Sequence, residues 1–194
     1  MPKTIDNDIY PISQTLGADT AAEQGAIFFE NIVNENTSSP RQLIIHEVMG
    51  RHSGWLTAAT AKKYRDRLAY WSFDSDLLLN CENWDIDAIF IPELSIDIEK
   101  EGQRLLDKMN KKDCVNIFLS EGACVNEIVG EMKRKNEEIK QDAFGHIRLD
   151  DINPGQWFAR QFSKIINAEK TLVQKSGYFS RSAAPNEKDI QLIK

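Results

Sequence analysis

Short, almost continuously apolar segments alternate along this chain with longer segments whose apolar residues recur at helical spacing. The apolar segments are short enough to be buried strands, and they cover residues 43–48, 87–91 and 115–119. Helical spacing or helix-start signals recur over residues 17–33, 53–67, 96–110, 125–138, 155–168 and 186–194. Strands that are apolar along their whole length are typical of sheets covered by helices on both faces. The alternation therefore predicts an α/β protein with a parallel sheet.

Unusual residues follow each predicted strand, at the end of the sheet where such proteins bind ligands. The three segments are Met-Gly-Arg at 49–51, Pro-Glu at 92–93 and Ser-Glu-Gly at 120–122. Gly50 lets the backbone approach a ligand, and Arg51 can bind a phosphate with two hydrogen bonds, although a plain strand-to-helix turn also uses these residues. Glu93 can accept hydrogen bonds from sugar hydroxyls, or it can be a carboxylate placed at a helix start by the helix dipole.

Charge and hydropathy exclude two classes of partner. The net charge of −6 over 194 residues argues against a nucleic-acid-binding domain, which is usually basic. The apolar runs are far shorter than the ~18 residues that a membrane-spanning helix needs. A charged-then-apolar signal segment is also missing from the sequence. We therefore expect a cytoplasmic protein that binds neither nucleic acid nor membrane.

The first residues of the chain, PKTIDND at 2–8, carry two acidic side chains, a lysine and a threonine. On an extended backbone, Asp6 and Asp8 would point the same way. Paired carboxylates can bind Mg²⁺, or can divide into a general base and an orienting partner. Lys3 beside them would stabilise the charge of a phosphate. The alternative interpretation is a turn, since turns use Asp and Asn routinely.

Two further basic segments lie in the last third of the chain. Tyr178 and Arg181 place a hydroxyl donor and a guanidinium just before the predicted helix 186–194. His146 and Arg148 form a second pair that can hold a phosphate, and their role stays open. Loops often contain such pairs, so neither pair identifies a function by itself.

Six motifs in order resemble those of one family. They are PKTIDND (2–8), EVMGRHSGWLTA (47–58), IFIPE (89–93), SEGA (120–123), GHIRLDDINPG (145–155) and SGYFSRS (176–182). They are similar to successive landmarks of the phosphofructokinases, and most similar to the pyrophosphate-dependent branch. The resemblance runs from residue 2 to about the last residue, and it implies the Rossmann-like layers of the phosphofructokinase fold.

The resemblance also implies roles for the first motif. Asp6 would accept the proton of the C1 hydroxyl of fructose 6-phosphate, with Thr4 and Ile5 lining the sugar site. Asp8 would orient a group or contact Mg²⁺. Lys3 stands where ATP-using relatives commonly carry glycine, which implies pyrophosphate as the donor.

The later motifs imply substrate-binding residues. Met49, Gly50 and Arg51 resemble the substrate-binding turn of the family, and Glu93 matches a glutamate that binds sugar hydroxyls. The YxxR segment, formed by Tyr178, Phe179, Ser180 and Arg181, is expected near the sugar phosphate.

The activity implied by the resemblance is a glycolytic reaction, the transfer of a phosphoryl group from pyrophosphate to fructose 6-phosphate. Its product is fructose 1,6-bisphosphate. Phosphoryl transfer depends mainly on positioning and on cations around spreading negative charge, which a base, a lysine, an arginine and Mg²⁺ would supply. The family also implies a homo-oligomer.

The family places its TIDND motif after a donor-binding half with glycine-rich loops, and no Gly-Gly-Asp segment occurs in this sequence. We therefore expect an internal part of the enzyme that is inactive alone, with the donor-binding start and the C-terminal end missing. About 1–34 would end the donor-side half and carry the catalytic loop. About 35–155 would form the sugar-phosphate-binding half, and about 156–194 would be returning helices.

Three alternatives remain open from the sequence. The chain can be a non-catalytic sugar-phosphate-binding subunit or remnant. It can belong to an ATP-dependent 6-phosphofructokinase, against which Lys3 argues. It can also be an unrelated acidic α/β binding module with a Mg²⁺ site at Asp6 and Asp8, although the ordered motifs argue against that.

Overall fold

The structure is a computed structural model of the chain, and it describes residues 1–73, 80–143 and 145–194. Within these residues one parallel sheet has the strand order β2-β3-β1-β4. The strands are β1 (Gln42–Val48), β2 (Ala88–Phe90), β3 (Cys114–Ser120) and β4 (Lys170–Lys175). The helices are α1 (Ala18–Ile32), α2 (Trp55–Leu68), α3 (Ile98–Lys112), α4 (Val125–Arg134), α5 (Leu149–Ile152), α6 (Pro154–Ile165), α7 (Gly177–Arg181) and α8 (Glu187–Ile193). The predicted α/β class is confirmed.

The core has two layers because both faces of the sheet are covered. Along β1 the side chains alternate between the faces, so Leu43 and Ile45 belong to one buried cluster and Ile44 and Val48 to the other. Helices α3 and α6 cover the first face, and α1 and α2 cover the second. Every residue of β1 and β3 is buried, which explains why apolar residues predominate in both sequences.

The sequence did not predict the edge strand β4. Its sequence, KTLVQK, contains only two apolar residues, and its ends are exposed to solvent. β4 pairs in parallel with β1, with Gln42 opposite Lys170. Residues 156–194 therefore contribute a strand to the sheet as well as helices. The short helices α5 and α7 also went unpredicted.

The parallel pairing of β1 with β3 brings two of the predicted ligand-binding segments together. Val48 lies opposite Ser120, so residues 49–51 and 120–122 leave the sheet side by side. The Ser120 hydroxyl donates to the Gly50 carbonyl at 2.6 Å. Gly50 has a φ of 141°, and a Cβ there would lie 2.4 Å from the Ser53 carbonyl oxygen. Only glycine fits this turn without a backbone shift.

Among the described residues, no helix is both long enough and apolar enough to cross a bilayer.

Candidate active site

The N-terminal segment, residues 2–8, is attached to the loop before α1. Leu16 N–H donates to the Pro2 carbonyl at 3.0 Å, and Lys3 and Leu16 form an isolated parallel bridge. The buried Thr15 hydroxyl donates to the Thr4 carbonyl at 2.6 Å, while Thr15 N–H donates to Asn7 Oδ1 at 2.7 Å. These bonds hold the backbone on both sides of Asp6.

Asp6 and Asp8 do not lie on an extended backbone. Asn7, between them, is in the left-handed region with a φ of 53°, which asparagine tolerates better than most residues. Asp8 is exposed, whereas Asp6 is partly buried. The spacing of two therefore does not place the carboxylates side by side as it would on a strand.

Asp6 lines a cleft of about 470 Å³, which we call the Asp6 cleft. Three parts of the chain form it: the N-terminal segment and start of α1, the ends of β1 and β3, and the region from α7 to α8. The lining residues that the sequence had singled out as site residues are Lys3, Thr4, Ile5, Asp6, Met49, Ser180 and Arg181. The structure thus collects most of the expected site in one cavity.

The surroundings of Asp6 make its carboxyl group a better proton acceptor. Burial raises the pKa of Asp6, and the negative charge of Asp8 raises it further. The positive charge of Arg51 and the His52 side chain oppose this shift. A carboxylate with a raised pKa is a stronger base than an ordinary aspartate.

Glu121, the first residue after β3, also lines the Asp6 cleft. Its Oε1 accepts a hydrogen bond from Gly50 N–H at 3.3 Å. Burial raises the pKa of Glu121, and the charges of Glu47 and Asp6 raise it further, while the Gly50 bond and Arg51 lower it. The sequence marked the strand end but assigned Glu121 no role, because a position after a strand does not say where the side chain points.

The two cations of the Asp6 cleft come from different ends of the chain. Lys3 is exposed and follows Pro2 in the N-terminal segment, and Arg181 is the last residue of α7. The Arg181 guanidinium lies 4.8 Å from the centre of the Tyr178 ring, which fits a cation–π contact. Tyr178 is 68% exposed, and neither it nor Phe179 lines the cleft. Phe179 packs on Phe28, with ring centroids 5.5 Å apart.

Arg51 and Glu93 line a second cleft of about 620 Å³, the Glu93 cleft, together with His52 and His146. Glu93 Oε1 accepts a hydrogen bond from Gly54 N–H at 2.7 Å. The guanidinium of Arg51 donates to the Ile147 carbonyl at 2.6 Å. The Arg148 side chain instead pairs with Asp151 on the surface, at 3.3 Å.

The two clefts adjoin at the end of β3, since Glu121 lines one and Gly122 lines the other. Gly122 packs so closely against the Arg51 backbone that a Cβ would come within 2.0 Å of its carbonyl oxygen. Glu93 lines this neighbouring cleft and is not among the residues that line the cleft containing Asp6.

The carboxylates near this site suit Mg²⁺ only as partial ligands. Within the part of the chain that the structure describes, no group of three or more His, Cys, Asp or Glu side chains is arranged to hold a metal ion. Asp6 and Glu121 supply the hard oxygen ligands that Mg²⁺ prefers, and Asp8 lies close enough to Asp6 to raise its pKa. This fits an ion held by one or two carboxylates, with water and substrate phosphates completing its shell.

Comparison with known proteins gives a consistent result over the whole chain. The family profile described as Phosphofructokinase matches residues 1–193. The pyrophosphate–fructose 6-phosphate 1-phosphotransferase of Methylomonas methanica is 58% identical over 194 residues, covering 100% of this chain and 47% of that protein. The protein of the same name from Mastigamoeba balamuthi is 54% identical over the same share of both chains.

Among solved structures, the pyrophosphate-dependent phosphofructokinase of Marinobacter aquaeolei matches with a TM-score of 0.63 and 21% identity. The match covers 98% of this chain and 40% of that one, and it shows a shared fold. The chain spans about half the length of the curated relatives it matches.

Proposed function

Since this chain belongs to the phosphofructokinase family, we propose that it forms the sugar-phosphate side of an active site that transfers a phosphoryl group from pyrophosphate to fructose 6-phosphate. The relatives from Methylomonas methanica and Mastigamoeba balamuthi, which carry this activity in their names, are more than half identical to the chain over its whole length. The observation that carries the proposal is the Asp6 cleft, in which a carboxylate with a raised pKa lies among Lys3, Arg181 and Glu121.

In the proposed reaction, the Asp6 carboxylate takes the proton of the C1 hydroxyl as that oxygen forms a bond to a phosphorus atom of pyrophosphate. The bond from this phosphorus to the bridging oxygen breaks, and orthophosphate leaves. Asp6 is held for this task by the bonds of Thr4 and Asn7 to Thr15. A positioned general base contributes about 10²- to 10⁴-fold to such a rate.

The sugar phosphate is proposed to bind in the Asp6 cleft beside Thr4, Ile5 and Met49. Glu121 can accept hydrogen bonds from sugar hydroxyls, and its bond to Gly50 N–H fixes its direction. Arg181 supplies the cation for the sugar phosphate, with Tyr178 stacked against it.

Four of the expected substrate-binding residues are proposed to shape this cleft or to lie beside it, and they are Gly50, Glu93, Phe179 and Ser180. Gly50 shapes the turn that carries Met49, and Ser180 and Phe179 hold α7 in place. Glu93 contacts the sugar only if the ligand reaches the neighbouring cleft, because its carboxylate lies there against Gly54.

Lys3 is proposed to bind the transferring phosphoryl group, since it lines the same cleft as Asp6 and carries a positive charge. Asp8, Asp6 and Glu121 are proposed to supply one or two carboxylate contacts to Mg²⁺, which when bound would neutralise negative charge on the phosphates. Arg51, whose charge acts on both Asp6 and Glu121, would add to this field. The donor-binding residues and a homo-oligomer are proposed for the whole protein on the family resemblance.

The test is the formation of fructose 1,6-bisphosphate from fructose 6-phosphate and Mg²⁺, with pyrophosphate or ATP as the donor. Two proteins are compared: this chain alone, and a chimera in which it replaces the aligned segment of the Methylomonas methanica relative. We expect turnover with pyrophosphate in the chimera and little in the chain alone. A folded chimera that uses only ATP would refute the proposed donor. A folded chimera that binds the sugar phosphate but uses neither donor would favour a non-catalytic binding unit.

A further inference from the structure

Asp189 of α8 is fully buried and caps a helix that begins about 170 residues earlier in the chain. Its Oδ1 accepts a hydrogen bond from Gly17 N–H at 3.0 Å, and its Oδ2 accepts one from Thr20 N–H at 2.9 Å. The Thr20 hydroxyl donates to the same Oδ2. One side chain thus satisfies the N-cap and N3 positions of α1 together.

Helix α1 needs such a cap because its own sequence does not provide one. Its N-cap residue is Gly17, which has no side chain to accept a hydrogen bond from the N–H groups of the first turn. In an ordinary capping box, two residues of the helix itself exchange these bonds. Here the carboxylate of Asp189 makes both, and its negative charge also suits the positive end of the helix dipole.

A second residue of the same segment fixes Asp189 in place. Asn186 caps α8, because its Oδ1 accepts a hydrogen bond from Asp189 N–H at 3.1 Å. Asn186 N–H donates to the Thr20 hydroxyl at 2.9 Å, and its side-chain amide donates to Asp19 and Glu23 at 2.7 and 2.6 Å. The start of α8 is therefore bound to the first turn and a half of α1.

This contact continues directly into the segment that carries Asp6. Gly17 follows Thr15 and Leu16, two of the residues to which the N-terminal segment is hydrogen-bonded. Gly17 and Thr20 also line the Asp6 cleft. A shift of the first turn of α1 would carry Leu16 and Thr15 with it, and through them the backbone on both sides of Asp6.

We propose that Asp189 is a positioning residue for Asp6: by capping α1 from α8, it fixes the turn on which the N-terminal segment is held. Asp189 does not touch the substrate, and it also occupies the helix N-terminus that would otherwise attract a phosphate. The effect on rate rests on the function proposed above, whereas the effect on the position of residues 2–8 does not.

The first test measures amide hydrogen exchange in this chain, which needs no activity. We compare Asp189→Ala with Asp66→Ala, which removes an exposed aspartate paired with Lys62 on α2. In Asp189→Ala we expect peptides covering 2–8 and 14–20 to exchange about tenfold faster or more, beyond any change in β1 and β3. In Asp66→Ala, exchange in peptides 2–8 and 14–20 should not change relative to exchange in β1 and β3.

An equal acceleration in all peptides would mean that Asp189 only stabilises the fold, and would overturn the proposal. Unchanged exchange at 2–8 would overturn it as well. If Asp189→Ala does not fold, Thr20→Val decides the same question, because it keeps the cap on the backbone but removes the hydroxyl between Asp189 and Asn186. We expect a smaller acceleration confined to the same peptides.

The second test measures turnover in the chimera. Asp189→Ala should lower kcat about tenfold or more while the KM for fructose 6-phosphate changes less than about twofold, since a shift of about 1 Å at a catalytic group can cost roughly 10²-fold. An unchanged kcat, or a change in KM alone, would overturn the proposal. If the unmutated chimera has no activity, the proposed function fails, and the exchange experiment still decides the role of Asp189.

Discussion

His46 Nε2 and Ser176 Oγ lie 2.8 Å apart in the core and join the middle of β1 to the residue before α7. The imidazole is fully buried, and its ring lies within 5.6 Å of the ring centroids of Phe28, Phe29 and Phe118. Burial lowers the pKa of His46 from 6.5 to about 3. His46, which contacts the residue before α7, is therefore neutral at physiological pH.

The protein should lose stability in mild acid because of this histidine. Below pH 6.5 the unfolded chain binds a proton at His46 that the folded chain does not, so the free energy of unfolding falls as the pH is lowered towards 3. This one group contributes a slope of about 1.4 kcal/mol per pH unit. Urea unfolding between about pH 4 and 7 should show a shallower slope in His46→Gln. The exposed His52→Gln is the control, and equal slopes in both variants would contradict the prediction.

Replacing Asp6 should separate catalysis from stability. Asp6→Asn in the chimera should lower kcat by about 10²-fold or more, because the base is removed. The pKa of Asp6 is raised in the folded chain, so ionising this carboxyl group costs more free energy in the folded chain than in the unfolded chain. At neutral pH this difference lowers the free energy of unfolding. The midpoint of thermal unfolding at pH 7 should therefore rise in Asp6→Asn. A fall in both quantities would indicate a structural role, and Asp66→Asn serves as the control.

Glu121 and Glu93 are competing candidates for the residue that binds the sugar hydroxyls. Glu121 shares a cleft with Asp6, whereas Glu93 faces the adjoining one. Glu121→Gln should therefore raise the KM for fructose 6-phosphate about tenfold, the cost of one hydrogen bond to a charged group. Glu93→Gln should raise it less. Steady-state kinetics of the two variants in the chimera decides the matter, and the reverse order would assign the sugar hydroxyls to Glu93.

Lys3 should govern the use of the phosphoryl donor. Lys3→Met in the chimera should lower kcat with pyrophosphate by about 10²-fold, because a cation that stabilises the transferring group is lost. The KM for fructose 6-phosphate should change less than about twofold. The exposed Lys140→Met controls for the loss of one charge. Equal losses in kcat and in sugar affinity would show that Lys3 shapes the cleft instead.

The buried ion pair between Asp87, just before β2, and Lys112, the last residue of α3, should contribute strongly to stability. Lys112 Nζ lies 2.9 Å from Asp87 Oδ2, and the two side chains are only 6% and 4% exposed. The same Oδ2 accepts a hydrogen bond from Asn116 N–H at 2.8 Å. Lys112→Met leaves the carboxylate buried without its cation, and should lower the free energy of unfolding by about 3 kcal/mol.

Urea unfolding at neutral pH measures this loss, with the adjacent exposed Lys111→Met as the control. Burial raises the pKa of Asp87, so this carboxyl can escape the penalty by taking up a proton. The destabilisation by Lys112→Met should consequently shrink as the pH is lowered. A loss below about 1 kcal/mol at neutral pH would class the pair with exposed ion pairs.

The sheet was predictable where burial on both faces leaves a plain mark in the sequence. Strands β1 and β3 each contain a run of apolar residues because helices cover both of their faces. Strand β4 left no such mark, since an edge strand keeps polar, partly exposed side chains and pairs mainly through its backbone. The α/β class therefore followed from the sequence, but the position of the last strand did not.

The sequence predicted where in the fold the site lies better than it predicted which side chains contact each other there. The strand-end rule correctly placed residues 49–51 beside 120–122, because parallel strands end at the same edge. The relation of Asp6 to Asp8 could not be predicted, since it depends on the left-handed turn at Asn7. The separation of Glu93 from Asp6, and the reach of Asp189 to α1, depend on tertiary packing that no local pattern encodes.

The long reach of Asp189 has a consequence for the order in which the protein is made. The bonds from Gly17 and Thr20 to Asp189 close loops of 172 and 169 residues. During synthesis the N-terminal segment and α1 leave the ribosome well before Asp189 does, and contacts of such high sequence separation form late because closing the loop costs entropy. The sheet can assemble once β4 has emerged from the ribosome, but the Asp6 cleft can be completed only after α8 has emerged. A nascent chain stalled before residue 189 would then hold a formed core and an unfinished reaction site.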